Sequence, residues 1–202
     1  MNDTIWMSGA LREAPLPFAV EDRVVPALER AHNSQKHING VHLDPGLLPQ
    51  RAINQPYQVV SKLPHVFLIS DFLCVSEKVA AVLRDHDLGQ GGLYPIELMQ
   101  VDGVTPFPGP FWALNFGAEK RVLNDAESRQ LRKIPSGQYT PTLTVKADEI
   151  ALFHEAMKGA DLWTDPQLVR VFFLSPRLKA ALTRARLNTA FRLLSCRLIY
   201  RH

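Results

Sequence analysis

The sequence predicts an α+β fold, in which a mixed and mostly antiparallel sheet packs against helices. Short apolar runs typical of buried strands alternate with segments of helical periodicity, but without the regular rhythm of a parallel α/β protein. Asp102-Gly103 separates two such runs by a pattern typical of a hairpin turn. In addition, one unit of strand, capping serine, helix and strand occurs twice, which gives the fold two similar parts.

The clearer of the two units lies near the C-terminus. Val171 to Leu174 is a run of four large apolar residues, typical of a strand buried on both faces. Ser175 can cap a following helix, and Pro176 suits its first position, where a backbone N–H has no partner. At about 100° per residue, four apolar residues then share one face of the helix: Leu178, Ala181, Leu182 and Ala185. Another strand is expected from Phe191.

A similar unit lies 99 residues earlier in the chain. Phe72 to Val75 is the expected strand, and Ser76 is the expected cap. The apolar stripe of the helix is then occupied by Val79, Val82, Leu83 and His86. Four of the seventeen aligned positions are identical. This likeness fits a structural duplication, and it also fits the general similarity of any two short strand–helix units.

Three stretches resemble a known protein family: residues 72–98 (FLCVSEKVAAVLRDHDLGQGGLYPIEL), 111–117 (FWALNFG) and 160–187 (ADLWTDPQLVRVFFLSPRLKAALTRARL). In this order they are similar to a bacterial immunity-protein family encoded beside polymorphic secreted toxins, long catalogued as a domain of unknown function. The resemblance covers about residues 60–202 and lies in strand, cap and helix positions rather than in a catalytic motif. It implies a protein that binds and silences a cognate toxin, without indicating which toxin.

We expect one globular domain over residues 1–202, with a core at 65–202 and an irregular arm at 1–64 that wraps it. The arm holds seven of the fifteen prolines, and each proline removes a backbone donor and disfavours helix in the preceding residue. The other expected elements are a short helix at 24–32 with Val25, Leu28 and His32 inward, a strand at 65–69, a helix at 77–86, strands at 93–101 and 111–116, a partly helical segment at 119–134, an edge strand at 138–145 and a helix at 148–157.

The composition is that of an ordinary globular protein, with 46% hydrophobic and 21% charged residues. No run approaches the roughly 18 apolar residues of a membrane span, and the N-terminus lacks the basic start and apolar stretch of a secretory signal. We therefore expect no membrane segment and a cytoplasmic location. Because that compartment is reducing, we expect Cys74 and Cys196 to be buried free thiols.

The net charge of +3 conceals an asymmetry along the chain. Residues 1–165 hold 15 basic and 20 acidic side chains, whereas the rest has no Asp or Glu. Its basic residues are Arg170, Arg177, Lys179, Arg184, Arg186, Arg192, Arg197 and Arg201. Such a segment suits nucleic acid or an acidic protein. On the expected helix, however, these charges border the apolar stripe on both sides, which favours a solvated boundary.

The histidines of the sequence do not indicate a metal or cofactor site. His32, His37 and His42 recur at intervals of five, which places them on no common face of a helix or a strand. His154-Glu155 begins like the helix of a zinc protease, but Lys158 stands where the second His ligand is needed. We expect neither a metal nor a cofactor.

The serines at the two strand-to-helix turns do not indicate a catalytic site. Ser76 and Ser175 lie where hydrolases place a nucleophile, but neither has the Gly-x-Ser-x-Gly pattern, so helix capping is expected of both. Gln90-Gly91-Gly92 leads into a strand, whereas a phosphate-binding loop precedes a helix.

Two pairs of acidic residues are also local features rather than a site. Asp85 with Asp87, and Asp161 with Asp165, lie among turn residues and have no convergent partner for acid–base chemistry in the sequence. His86 is expected at the margin of the core.

The three tryptophans lie in different parts of the chain. Trp6 is in the expected arm, whereas Trp112 and Trp163 flank core segments and are expected to pack inside. An exposed tryptophan would instead suit an anchor at a protein interface.

We expect a non-enzymatic immunity protein that binds its cognate toxin through steric and electrostatic complementarity. The sequence indicates neither its contact residues nor its oligomeric state. Two alternatives stay open. A small hydrolase or transferase requires a pocket in which at least two titratable residues converge, for example His86 or His154 with an Asp or Glu. A nucleic-acid-binding module, which is less favoured, requires the arginines after Asp165 to form one continuous stripe.

Overall fold

The structure is a computed structural model that describes residues 4–21 and 26–200. In this part of the chain there are three α-helices: α1 (Ala27–Ile38), α2 (Glu77–Arg84) and α3 (Pro176–Arg184). The same residues form fourteen strands: β1 (Trp6–Ser8), β2 (Phe18–Val20), β3 (Arg51–Asn54), β4 (Val66–Ile69), β5 (Phe72–Ser76), β6 (Gly92–Met99), β7 (Phe111–Asn115), β8 (Leu131–Lys133), β9 (Tyr139–Pro141), β10 (Ala151–Phe153), β11 (Leu162–Trp163), β12 (Phe172–Leu174), β13 (Leu193–Ser195) and β14 (Arg197–Ile199).

Most strands belong to two larger sheets. The six-stranded sheet has the order β2-β3-β6-β7-β5-β4, and only its β3–β6 pair is parallel. The four-stranded sheet, β11-β12-β1-β13, is antiparallel throughout. Two small ladders complete the pairing, an antiparallel β8–β9 and a parallel β10–β14. The predicted α+β class with mostly antiparallel sheets is confirmed.

Strand β12 is buried on both faces, as its apolar run predicts. Phe172 faces a cluster shared by α2, α3 and the six-stranded sheet, and its ring lies 5.4 Å from that of Phe116. Phe173 points the opposite way, into a second cluster, where its ring stacks on Trp163 at 5.7 Å. Since successive side chains of a strand alternate between faces, this one strand supplies both cores.

Both predicted strand-to-helix connections are present. β5 leads through Ser76 into α2, and β12 leads through Ser175 into α3. The two strands belong to different sheets, while the two helices pack against each other. The strand expected from Phe191 begins at Leu193, because a 3-10 turn forms first. Whether the two units share an ancestor stays a prediction.

The expectation of irregular chain over residues 1–64 is wrong for several segments. β1 lies between β12 and β13 in the four-stranded sheet, and β2 and β3 form one side of the six-stranded sheet. Three-residue strands such as β1 have little local signal, because partners distant in sequence provide all of their hydrogen bonds. The boundary at residue 64 stays a prediction.

The first helix differs from its prediction in position and in orientation. It starts at Ala27 and continues to Ile38, whereas Val24 and Val25 lie outside the described residues. Leu28 is 85% exposed, and His32 is exposed as well. The buried face is instead formed near the C-terminal end by Asn33, Ser34, His37 and Ile38. Packing against β5, rather than the apolar residues of the first turn, therefore sets the orientation.

Two further helix predictions are wrong. The segment at 119–134 contains no helix; it is irregular chain with a turn at 125–127, followed by β8. The segment at 148–157 forms β10 and a short 3-10 helix, His154–Met157. β10 pairs with β14, about 46 residues away in sequence, so a long-range ladder overrides the helical periodicity of Ile150, Phe153 and Met157. The expected extended segment at 138–145 contains the edge strand β9.

The expected free thiols are confirmed in the described residues. Cys74 and Cys196 are both buried and unpaired, and burial raises the pKa of each thiol. None of the helices described is long and apolar enough to cross a membrane.

His37 holds α1 against the six-stranded sheet. The backbone N–H of Leu73 donates to its Nε2 at 3.1 Å, so this nitrogen is an acceptor and the ring is neutral. The ring centres of Phe72 and Phe116 each lie 5.2 Å from the centre of the imidazole. Burial lowers the pKa of His37 to about 3.

The buried His37 makes stability depend on acidity. Between its unfolded pKa near 6.5 and its folded pKa of about 3, only the unfolded chain binds the extra proton. The free energy of unfolding should therefore fall as the pH drops from about 6.5 towards 3. His37→Gln keeps an acceptor but does not titrate, so its urea-unfolding midpoint should depend less on pH. His32→Gln, exposed on the same helix, is the control. Equal slopes in all three proteins would contradict the assignment.

Candidate protein-binding groove

The histidines singled out in the sequence are not brought together. His37 is in the core, His32 is exposed on α1, and His42 Nδ1 lies 2.6 Å from the carbonyl of Phe116. His154 stacks on Tyr200, with 4.6 Å between the ring centres. Among the described residues there is no group of three His, Cys, Asp or Glu side chains that could hold a metal ion.

Asp161 joins the two strand–helix units. It is buried, and it accepts hydrogen bonds from Ser175 Oγ at 2.6 Å and from the backbone N–H of Asp87 at 2.9 Å, and pairs with Arg177. Burial raises the pKa of Asp161, but the hydrogen bonds from Arg177, Ser175 and Asp87 outweigh it, and the net pKa is lowered. This carboxylate ties the start of α3 to the turn after α2.

Asp165 is a second buried carboxylate with a structural role. Its Oδ2 accepts from the backbone N–H groups of Val122 and Leu123, both at 2.8 Å. Its Oδ1 accepts from the N–H of Gln167 at 2.9 Å. Asp161 and Asp165 are therefore both engaged in structural contacts with the main chain or with neighbouring side chains.

The two predicted capping serines behave differently. Ser175 Oγ accepts from the N–H of Leu178 at 3.1 Å, so its capping role is confirmed. Ser76 makes no such bond, and the prediction is wrong for its side chain. Its hydroxyl instead lies 2.8 Å from Nδ1 of His65, beside a cleft of about 370 Å³ that Phe107 and Phe111 help to line. The sequence pattern cannot anticipate this contact, because His65 belongs to the neighbouring strand segment.

The three tryptophans occupy three different environments. Trp163 is fully buried, as predicted, and the ammonium group of Lys120 lies 3.5 Å from its ring centre. Trp112 is half-buried, and its indole N–H donates to Glu77 at 2.6 Å. Trp6 is also half-buried, and Lys179 Nζ lies 4.5 Å above its ring. Trp6 is the tryptophan that opens into a surface depression.

A groove of about 720 Å³ surrounds Trp6. It lies where β1, the segment at 143–145, the start of α3 and β13 meet. We call it the Trp6 groove. The lining residues on which its character depends are Trp6, Arg12, Leu143, Lys179, Arg192 and Leu193.

The Trp6 groove is positively charged. Three cationic side chains, Arg12, Lys179 and Arg192, face one carboxylate, Glu13, which leaves a balance of +2. Glu13 pairs with Arg192 at 2.8 Å. Burial lowers the pKa of Arg12, and the neighbouring charge of Arg170 lowers it further. A net positive charge on the groove favours the approach of an anionic partner.

The groove also presents apolar surface. Leu143 is 95% exposed at its border, and Leu193, Leu194 and Val145 continue this surface inward. Tryptophan and arginine are the residues most enriched at the energetic centres of protein interfaces. Trp6 with Arg12 and Arg192, beside an exposed leucine, therefore has the composition of a protein-binding site.

Within residues 166–200, the basic residues of the C-terminal third do not act as one group, and Arg201 lies outside the described residues. Arg177 pairs with Asp161, Arg192 with Glu13, and Arg197 with Glu127. Lys179 and Arg192 reach the Trp6 groove, where they meet residues of the N-terminal segment. In the sequence, the excess of basic residues after Asp165 was the feature that pointed to the Trp6 groove. It was insufficient, because the groove combines positions about 190 residues apart in sequence, such as Trp6 and Arg192.

No protein-family model matches this chain, and no curated protein matches it. The resemblance to immunity proteins therefore stays a prediction that rests on the residues quoted for it.

The two serines at the helix starts provide a matched prediction. Ser175→Ala removes a helix cap and a partner of the buried Asp161, so it should lower the free energy of unfolding by about 1–2 kcal/mol. Ser76→Ala removes no cap and should change it by less than about 0.5 kcal/mol. Chemical denaturation of the two variants measures both values. Equal losses would show that the helix starts are equivalent.

Proposed function

We propose that this protein is an immunity protein, which binds a cognate toxin or effector in the cytoplasm and silences it. The Trp6 groove is the proposed contact surface. The observation that carries the proposal is a half-buried tryptophan in a basic groove bordered by a leucine that is 95% exposed. The resemblance of residues 72–98, 111–117 and 160–187 to immunity proteins supports the same function.

The composition of the groove divides affinity and specificity between two kinds of contact. Burying Leu143 against a partner contributes roughly 1.5–3 kcal/mol of transfer free energy. Truncation of a tryptophan at the centre of an interface to alanine commonly reduces the binding free energy by about 2 kcal/mol or more. The cations of the groove add attraction over a longer range, which speeds encounter with an acidic surface and disfavours basic partners. A tight and selective complex requires both contributions.

Silencing by this route needs no chemical step. A partner seated on the groove is blocked sterically wherever its own functional surface is covered. One immunity protein then neutralises one toxin molecule. Inhibition should therefore titrate at a molar ratio near one.

Co-expression with the product of the adjacent upstream gene tests the proposal. The wild-type chain should restore growth and co-purify with that product. Leu143→Asp places a charge at the border of the groove and should weaken the complex at least tenfold, because the desolvation of a carboxylate opposes binding. Calorimetric titration measures the effect.

Val104→Asp is the matched control. Val104 is a 76% exposed apolar residue at the tip of the β6–β7 hairpin and lies outside the groove. This substitution should change the affinity by less than twofold. Failure of the wild-type chain to co-purify or to rescue growth would overturn the proposed function. Equal losses in both variants would remove the groove as its site.

A second candidate function, hydrolysis, is favoured by the Ser76–His65 contact. A histidine at 2.8 Å is within reach of the proton of the Ser76 hydroxyl, which is the geometry of an activated nucleophile. The adjacent cleft with Phe107 and Phe111 could take an apolar acyl group. This pair differs from the one that the sequence suggested, in which His86 contacts a carboxylate. In the structure His86 Nδ1 lies 2.8 Å from the carbonyl oxygen of Val82.

An esterase assay tests this second candidate function directly. If Ser76 and His65 act together, the wild-type protein should hydrolyse p-nitrophenyl acetate, and Ser76→Ala and His65→Gln should each lower the rate at least about 100-fold. Ser175→Ala is the control at the equivalent position of the other unit and should retain the rate. Wild-type turnover equal to that of Ser76→Ala would eliminate hydrolysis by this pair.

A further inference from the structure

Strand β13 forms one edge of the four-stranded sheet. The order β11-β12-β1-β13 places β1 on its inner side, and among residues 4–21 and 26–200 no strand of this sheet follows it on the outer side. An edge strand presents main-chain donors and acceptors to any chain that can lie alongside. The position of β13 at the Trp6 groove makes this edge relevant to binding.

The hydrogen-bond alternation of the ladder shows which groups face outward. Gly9 N–H donates to the carbonyl of Arg192, and Cys196 N–H donates to that of Ile5, so these pairs are the hydrogen-bonded ones. In an antiparallel ladder the intervening residues direct their N–H and C=O groups away from the partner strand. Leu193 and Ser195 are therefore the outward-facing residues of β13.

One of these outward groups is already occupied. The carbonyl of Ser195 accepts from the N–H of Asp148 at 2.7 Å. The N–H and C=O of Leu193 and the N–H of Ser195 remain directed towards the edge. They supply two donors and one acceptor along about 7 Å of strand, which matches the spacing of alternate residues in an extended chain.

The Trp6 groove opens at this edge rather than over one face of the sheet. Leu193 packs with the cluster around Phe172, while Leu194 packs with the cluster around Phe173 on the opposite face. Both leucines nevertheless line the groove. β1 occupies the inner edge of β13, whereas the segment that contains Val145, which also lines the groove, leads to Asp148, which bonds Ser195 on the outer side. The groove therefore reaches the outer edge of β13.

The positive charge of the groove favours an acidic binding partner. Lys179 and Arg192 line the groove together with Leu193, and the charged side chains of the groove sum to a net charge of +2. We infer that an extended acidic segment of the partner protein binds in the Trp6 groove and adds to β13 as a further strand. Its main chain pairs with Leu193 and Ser195, and its carboxylates approach the cations. This inference rests on the proposed function and names the chemistry of the partner.

A protein segment fits the groove better than a nucleic acid does. The outward N–H and C=O groups of Leu193 pair with a peptide backbone in both directions, whereas a phosphate backbone offers acceptors only. The exposed Leu143 and the half-buried Trp6 supply apolar surface for alternate side chains of such a strand. Binding of a nucleic acid in its place is an outcome that the experiment can detect.

A synthetic probe tests the inference without the natural partner. The probe is a fluorescein-labelled heptapeptide, blocked at both ends, in which Glu alternates with Val. Fluorescence anisotropy should show binding to the wild-type protein. The double variant Lys179→Glu/Arg192→Glu should bind at least tenfold more weakly. Arg121→Glu, an exposed arginine outside the groove, should stay within twofold of the wild type. Circular dichroism melting verifies that both variants fold.

Modified probes examine the wild-type protein alone, so the test does not depend on the variants. Replacing Glu by Lys should abolish binding, which reports the charge requirement. N-methylation of alternate amides, on the side of the peptide that pairs, should weaken binding at least tenfold, because it removes main-chain donors while the charge is unchanged. Equal binding of the methylated or the Lys peptide would overturn the inference, as would tighter binding of a twelve-nucleotide single strand.

The two proposals fail in different ways. Absence of peptide binding, with a toxin complex that remains sensitive to Leu143→Asp, overturns strand addition and leaves the immunity function supported. Peptide binding without any toxin complex supports the acidic-strand site and overturns the immunity function.

Discussion

The burial of both faces of β12 is the constraint from which the rest of the structure follows. Phe172 and Phe173 point in opposite directions, so an apolar layer must cover each side. The α2–α3 pair and the six-stranded sheet cover one side, and residues that include Leu123, Leu152 and Leu168 cover the other. The strand also needs a hydrogen-bonding neighbour on each edge, and β11 and β1 provide it. The N-terminal segment is thereby fixed in the sheet, and Trp6 with it.

The same residue type at equivalent positions takes different roles because of its surroundings. Ser175 lies beside the buried carboxylate of Asp161. Its hydroxyl donates a hydrogen bond to this carboxylate and accepts one from the N–H of Leu178, which caps α3. Ser76 has no buried acid as its neighbour and turns to His65 instead. The Ser175 unit is therefore bonded through Asp161 to the turn after α2, whereas the Ser76 hydroxyl of the other unit lies beside a cleft.

The pairing of β1 with β13 brings basic residues of the C-terminal third and residues of the N-terminal segment into one groove. That pairing brings Trp6, Arg12 and Glu13 to Lys179 and Arg192. Glu13 neutralises part of the positive charge through its ion pair with Arg192, and a balance of +2 remains in the groove beside the exposed Leu143. A partly open strand edge, apolar surface and positive charge coincide there, and the proposed binding of an acidic strand rests on this combination.

The sequence by itself determined the α+β class, the strand at 172–174, the α3 cap at Ser175, the hairpin around Asp102-Gly103 and the burial of Trp163. Each depends on turn chemistry or apolar patterning among neighbouring residues, which a sequence displays directly. Only the tertiary structure decided the central place of β1, the ladder that replaces the helix expected at 148–157, and the burial of His37. It also decided the Trp6 groove. These features depend on partners far apart in the chain, and long-range pairing and burial outweigh local propensity wherever the two disagree.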